Sequence, residues 1–117
     1  MSKVKLERIG SQIAKELSQI LHGAKNEVLR NITITATEVS GDLSVAKVYY
    51  TFYGDYDKAF VDIELKNASA FLRTELAERI DIRHTPELRF QFDESVEYGT
   101  NIERILSQIN KDETDSN

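Results

Sequence analysis

Apolar residues along this chain keep two rhythms, one of three to four and one of two. From residue 3 to 25 the helical rhythm holds. Leu6, Ile9, Ile13, Leu17, Ile20 and Leu21 make one stripe, and Gly23 is placed to stop the helix. The rhythm of two comes next. In 32–38, Ile32, Ile34 and Ala36 point one way and Thr33, Thr35 and Thr37 the other, a pattern for a half-buried strand. Ser40-Gly41-Asp42 is a turn cluster. In 43–53, Ala46, Val48, Tyr50 and Phe52 alternate with Lys47, Tyr49 and Thr51, so the two runs are expected to pair as an antiparallel hairpin.

Gly54-Asp55 ends the second run, and Asp55 or Asp57 is positioned to cap a helix. Val61, Leu65, Ala68, Leu72, Leu76 and Ile80 step by three or four through that long amphipathic helix, with small residues, Ala68-Ser69-Ala70, at its middle. The triplet admits two readings, a helix packed closely on a neighbour or a kink between two helices. Pro86 forbids further helix. In 87–93, Leu88, Phe90 and Phe92 again alternate with Arg89 and Gln91. Asp93-Glu94-Ser95 then offers a cap for a last helix over 96–109, with Tyr98, Ile102, Ile105, Leu106 and Ile109 inward. Gly99 lies in its first turns, at a cost of roughly 1 kcal/mol relative to Ala. Three strands with one apolar face each require helices on that face alone. The expected architecture is a three-stranded antiparallel or mixed sheet, covered on one side and open on the other.

Composition narrows the class. At 117 residues the chain is one domain, expected over 1–110, and the polar, acidic 111–117 is expected to be a disordered tail. There is no Cys, so thiolate metal sites and disulfides are excluded. No window nears the ~18 apolar residues of a membrane span, and 1–12 lack the apolar core of a signal peptide. A cytoplasmic protein is expected. Net charge is −5, but it is uneven: residues 1–25 carry +3 and the remainder −8. Lys5, Arg8, Gln12, Lys15 and Gln19 form a second stripe on the first helix that contains no acid, a pattern that favours an anionic partner. Lys66 and Arg73, seven apart, share a face of the long helix.

Catalytic constellations are absent. His22 and His84 sit in unrelated places and belong to no HExxH or triad pattern. The acid pairs Asp55/Asp57 and Asp93/Glu94 are capping residues by position. The five Gly are scattered, so no phosphate loop exists. Tyr50, Phe52, Phe90 and Phe92 share the aliphatic face and belong to the core. Tyr49 and Tyr53 point the other way and remain open as base-stacking groups.

Six blocks at ordered spacing resemble the ribosome-binding factor A family, bacterial small-subunit assembly factors, over about residues 5–107. They are Arg8-Ile9, Gln12 and Lys15-Glu16-Leu17; Ile32-Thr33-Ile34-Thr35; Asp42-Leu43-Ser44 with Ala46-Lys47-Val48-Tyr49; Phe71-Leu72-Arg73 with Leu76; Ile82-Arg83 with Pro86-Glu87-Leu88; and Asp93, Ser95, Glu97, Gly99 and Ile102. Two features depart from the family's pattern. Ala70 stands where the family's interhelix kink has Gly, and Asn26-Glu27-Val28 stands where it has Asp-Pro-Arg.

The resemblance implies an α+β, type II KH-like fold, α-β-β-α-kink-α-β with a C-terminal helix. It implies a monomeric, non-enzymatic factor with no cofactor and no metal, active in ribosome biogenesis and cold adaptation. Its partners would be the free 30S subunit, 16S rRNA near the decoding region, and an assembly GTPase linked to release. Its role would be late small-subunit maturation, including 16S 5′-end processing. The RNA-binding residues expected on that reading are Lys5, Arg8, Gln12 and Lys15, with Lys66, Ser69, Arg73, Arg79 and Arg83 as a second patch around the kink. Two alternatives stand beside it: a KH-like protein for another RNA, and a small protein–protein adaptor with a basic docking helix.

Overall fold

The computed structural model describes residues 2–95. The element order is α1 (Lys3–His22), α2 (Glu27–Arg30), β1 (Ile32–Val39), β2 (Val45–Phe52), α3 (Lys58–Arg79) and β3 (Glu87–Phe92). The helix predicted over 96–109 and the tail at 111–117 lie outside the described residues.

Local signals set the element ends. The Ser2 hydroxyl accepts from Lys5 N at 3.3 Å to start α1, and Gly23 closes it. Asp57, one of the two expected caps, accepts from Ala59 N at the start of α3. Gly54 has φ +106°, and a Cβ there would meet the Tyr56 ring at 2.7 Å, so only Gly fits that turn. The short α2 is an addition to the expected elements. Asn26 caps it by accepting from Val28 N, and it seats Val28 and Leu29 in the core.

The sheet order is β1-β2-β3. β1 and β2 pair antiparallel, as the hairpin reading requires, and β2 and β3 pair parallel, so the sheet is mixed. Ile13, Leu17 and Leu21 of α1 meet Val61, Leu65, Leu72 and Leu76 of α3 and Ala46, Val48 and Tyr50 of β2 in one core. Each such Leu or Ile contributes roughly 1.5–3 kcal/mol by leaving water. At one end the rings of Tyr50 and Phe52 each stand edge-on to Phe92, at 5.8 and 5.7 Å. The Tyr50 hydroxyl is hydrogen-bonded to the Asp62 carboxylate. Burial, and then that carboxylate, push its pKa up to about 12, so it stays neutral.

Two expectations are corrected. The inward set of β1 is not Ile32, Ile34 and Ala36. Ile34 faces Tyr50 and Ala36 faces Tyr49, so Thr35 is an extra residue in a β-bulge. The bulge reverses the alternation: Ala36 is exposed, while Thr37 and Val39 turn half inward. Gly10 of α1 lies over this segment, where a Cβ would sit 3.0 Å from Thr37 O, so the helix comes close against the bulged strand. Thr37 Oγ1 is buried there with no hydrogen-bond partner among the described residues.

The second correction concerns the expected division of the long helix into two. Helix α3 runs without interruption from Lys58 to Arg79, through Ala68, Ser69 and Ala70. Small residues do not break a helix by themselves, and Ala is the strongest helix former. Gly would have relaxed the backbone where Ala70 does not. The Thr74 hydroxyl donates to Ala70 O at 3.0 Å, a bond that stays within the helical turn. The α+β architecture with one-sided helical cover is therefore present, with one helix where two were expected.

Candidate nucleic-acid interface

Helix α1 turns Ile13, Leu17, Ile20 and Leu21 inward, and its period then fixes what faces out. Lys5, Arg8, Gln12, Lys15 and Gln19 lie along one outer stripe, and all five are exposed. From Lys5 to Gln19 that stripe is about 21 Å long at 1.5 Å per residue. No hydrogen bond or ion pair holds the side chain of Lys5, Arg8, Gln12 or Lys15 among the described residues. Three cations are thus displayed without an ion-pair partner among the described residues, an arrangement that favours contact with phosphates.

The second predicted patch is built differently. Lys66 Nζ lies 2.9 Å from Asp62 Oδ2, one turn back on the same helix. Arg73 donates through Nε and Nη2 to Thr85 O, at 3.2 and 2.7 Å, and so ties the segment after α3 to the helix. Ser69 is half-buried. Arg83 is exposed in the bend before β3. Arg79 is not with them. Its Nη1 donates to Gln19 Oε1 at 3.4 Å and lies 3.5 Å from Glu16 Oε2, so it joins α3 to α1. The structure therefore places Arg79 at the far end of the α1 stripe, beside Gln19, and engages Lys66 and Arg73 in contacts of their own.

On the open face of the sheet, Lys47 Nζ sits 5.5 Å from the Tyr49 ring centre and Arg89 pairs with Glu87 at 3.4 Å. Tyr49 is half-buried, whereas Tyr53 is 69% exposed just beyond β2. Thr35, the bulge residue, donates to Asp93 Oδ2 at 2.6 Å. His22 and His84 are both exposed, one at the end of α1 and one in the bend before β3. Among the described residues no group of three or more His, Asp or Glu is placed to hold a metal ion, and no helix is long and apolar enough to cross a membrane.

Sequence reasoning missed two features near this surface. One is Asn26, which caps α2 and also donates to Glu64 Oε2 at 2.8 Å. The other is the exposure of Phe71, which is 54% accessible on the outer side of α3. A helical wheel finds it, because Phe71 lies one position before Leu72 and so off the core stripe.

The sequence profile of the ribosome-binding factor A family matches residues 5–106. The chain is 41% identical to ribosome-binding factor A of Macrococcus caseolyticus, over 91% of this chain and 95% of that one. It is 40% identical to that of Brevibacillus brevis, over 93% and 92%. The crystal structure of ribosome-binding factor A from Thermus thermophilus superposes with a TM-score of 0.66 at 25% identity, covering 78% of this chain and 96% of that one. A Thermus thermophilus ribosome-binding factor A homology model, fitted into the cryo-EM map of a complex with the 30S subunit, superposes at 0.62 and 26% identity, covering 73% and 91%.

Proposed function

This chain belongs to the ribosome-binding factor A family, and we propose that it binds the free 30S ribosomal subunit and assists its late maturation. The observation that carries the reading is the α1 stripe: Lys5, Arg8 and Lys15 face outward, unpaired among the described residues and separated by no acid along the stripe. The fitted Thermus thermophilus homologue gives the partner class. The stripe contacts 16S rRNA phosphates near the decoding region, with Gln12 adding a neutral hydrogen bond and Arg79 extending the stripe from α3. Arg83, with Lys66, Ser69 and Arg73, makes the smaller second contact.

The role is that of a binding factor in ribosome biogenesis, including 16S 5′-end processing and growth in the cold. It acts in the cytoplasm as a monomer, without catalysis, and it leaves the subunit with the help of an assembly GTPase. Because the chain outside residues 1–25 carries −8, binding depends on the shape of a folded subunit more than on charge alone, and unstructured RNA is repelled. The test is co-sedimentation with free 30S subunits and with 70S ribosomes. Wild type is expected on 30S particles, with Arg8→Glu/Lys15→Glu largely lost from them. Equal partitioning to both particles with no effect of the charge reversal would overturn the reading.

A further inference from the structure

At the end of α1 a groove of about 490 Å³ opens between α1, α2 and α3, within the range of about 300–1,000 Å³ that small-ligand sites occupy. Ile20, Leu29 and Phe71 supply apolar wall, and Gln19, Lys25 and Arg79 supply polar rim. Gln19 and Arg79 are also where the α1 stripe ends. We infer that this groove receives one unpaired RNA base, stacked on Phe71, from the strand whose phosphates run along the stripe; the inference rests on the proposed RNA-binding role of α1.

Three observations favour a base. Phe71 presents an accessible ring beside two cations, the combination that holds single-stranded nucleic acid by stacking and charge together. Glu75 also lines the groove, half-buried and with no ion pair among the described residues. A carboxylate in that position repels phosphate but accepts hydrogen bonds from the amino edge of a base, so the base enters and the backbone stays at the Lys25 and Arg79 rim. Finally, the other exposed apolar groups of α3, Phe60 and Ile63, do not extend the groove. Phe60 lies about 16 Å from Phe71 along the helix, with Glu64 and Asn67 between. A docked amphipathic helix would need that apolar track to be continuous.

The experiment uses the full chain and purified free 30S subunits. Binding is measured for wild type, Phe71→Tyr, Phe71→Leu and Phe71→Ala, with thermal melts to confirm folding. In parallel, a photo-crosslinking phenylalanine analogue replaces Phe71, and the product is digested to identify RNA or protein. Stacking predicts that Phe71→Tyr binds as wild type, that Phe71→Leu and Phe71→Ala bind roughly tenfold or more weakly, and that the crosslink falls on a ribosomal RNA nucleotide. Wild-type binding by Phe71→Leu, or a crosslink to a ribosomal protein, overturns the inference and points to a peptide in the groove. The Arg8→Glu/Lys15→Glu variant fails or holds separately: it tests the stripe, whereas leucine against tyrosine at one position tests the groove.

Discussion

Helices α1 and α3 are alike on the inside and opposite on the outside. Each buries an aliphatic stripe against the same sheet. Outside, α1 displays Lys5, Arg8 and Lys15 with nothing among the described residues to hold them. The cations of α3 are occupied within the fold: Lys66 on Asp62, Arg73 on the Thr85 carbonyl, Arg79 on Glu16 and Gln19. Among its exposed groups α3 also carries three large apolar ones, Phe60, Ile63 and Phe71. Counting basic residues gives the two helices similar standing as anion-binding surfaces. Counting available ones separates them, because Lys66 and Arg73 are engaged in contacts of their own, and of these three cations Arg79 alone reaches the α1 stripe.

The inner faces should fail equally, and this is the largest effect expected. Leu17→Ala in α1 and Leu72→Ala in α3 each remove a side chain of 0% exposure. Each should cost roughly 2–5 kcal/mol, through lost transfer energy and the cavity left behind. Urea titration measures this as a lower midpoint. A several-fold disparity between the two would break the claim that the helices share one core.

The outer faces should then diverge. Arg8→Glu/Lys15→Glu is expected to weaken 30S binding by roughly tenfold or more at moderate salt, and to lower the salt slope by about one per phosphate contact removed. Thermal stability should hardly move, since neither side chain is paired within the described fold. Arg73→Ala should show the reverse. It removes two hydrogen bonds to Thr85 O from an exposed guanidinium, at about 1 kcal/mol or less of stability, with little change in 30S affinity. If Arg73→Ala instead lowered affinity as much as the α1 reversal, the distinction between occupied and available cations would fall.

The difference between the helices also marks what the sequence could reveal. The apolar stripes of both are legible because a 3.6-residue period repeats over five turns. The caps at Asp57 and Gly23 and the parity of β2 are equally local. The pairing of Arg79 with Glu16 and Gln19 is not legible, since it joins positions brought together only by the packing of α1 on α3. The bulge at Thr35 leaves no trace either. Ile-Thr-Ile-Thr-Ala-Thr alternates perfectly, and nothing in it announces that Thr37 will turn inward beneath Gly10. The expected division into two helices fails because small size alone does not break a helix, and two of the three small residues are Ala. Ala70→Gly tests that point. It should cost about 1 kcal/mol of stability or less and raise amide hydrogen exchange around residues 68–74. Unchanged exchange would show that the helix is held there by packing and not by the backbone preference of Ala70.

The smallest effect lies away from both helices, in the turn that joins β1 to β2, and it depends on pH. Asp42 Oδ1 accepts from Ser44 Oγ at 2.7 Å, Ser40 Oγ at 2.8 Å and Ser44 N at 3.1 Å. These bonds, those from Ser44 first, lower its pKa from the usual 3.8 to about 2. They hold a turn in which Leu43 has a positive φ of 63°, and Ser44 O in turn accepts from Glu87 N at the start of β3. The ionised form is favoured in the folded chain, so its stabilisation is present in full above the unfolded value and is lost as pH falls through the folded one. Asp42→Asn carries no such titration. The stability gap between wild type and Asp42→Asn should therefore be constant at about pH 6, begin to close below about pH 5, and be gone only below about pH 2. Thermal melts across that range measure it. Parallel curves for the two proteins would mean that the turn is set by backbone geometry at Leu43, and that the Asp42 carboxylate adds nothing to it.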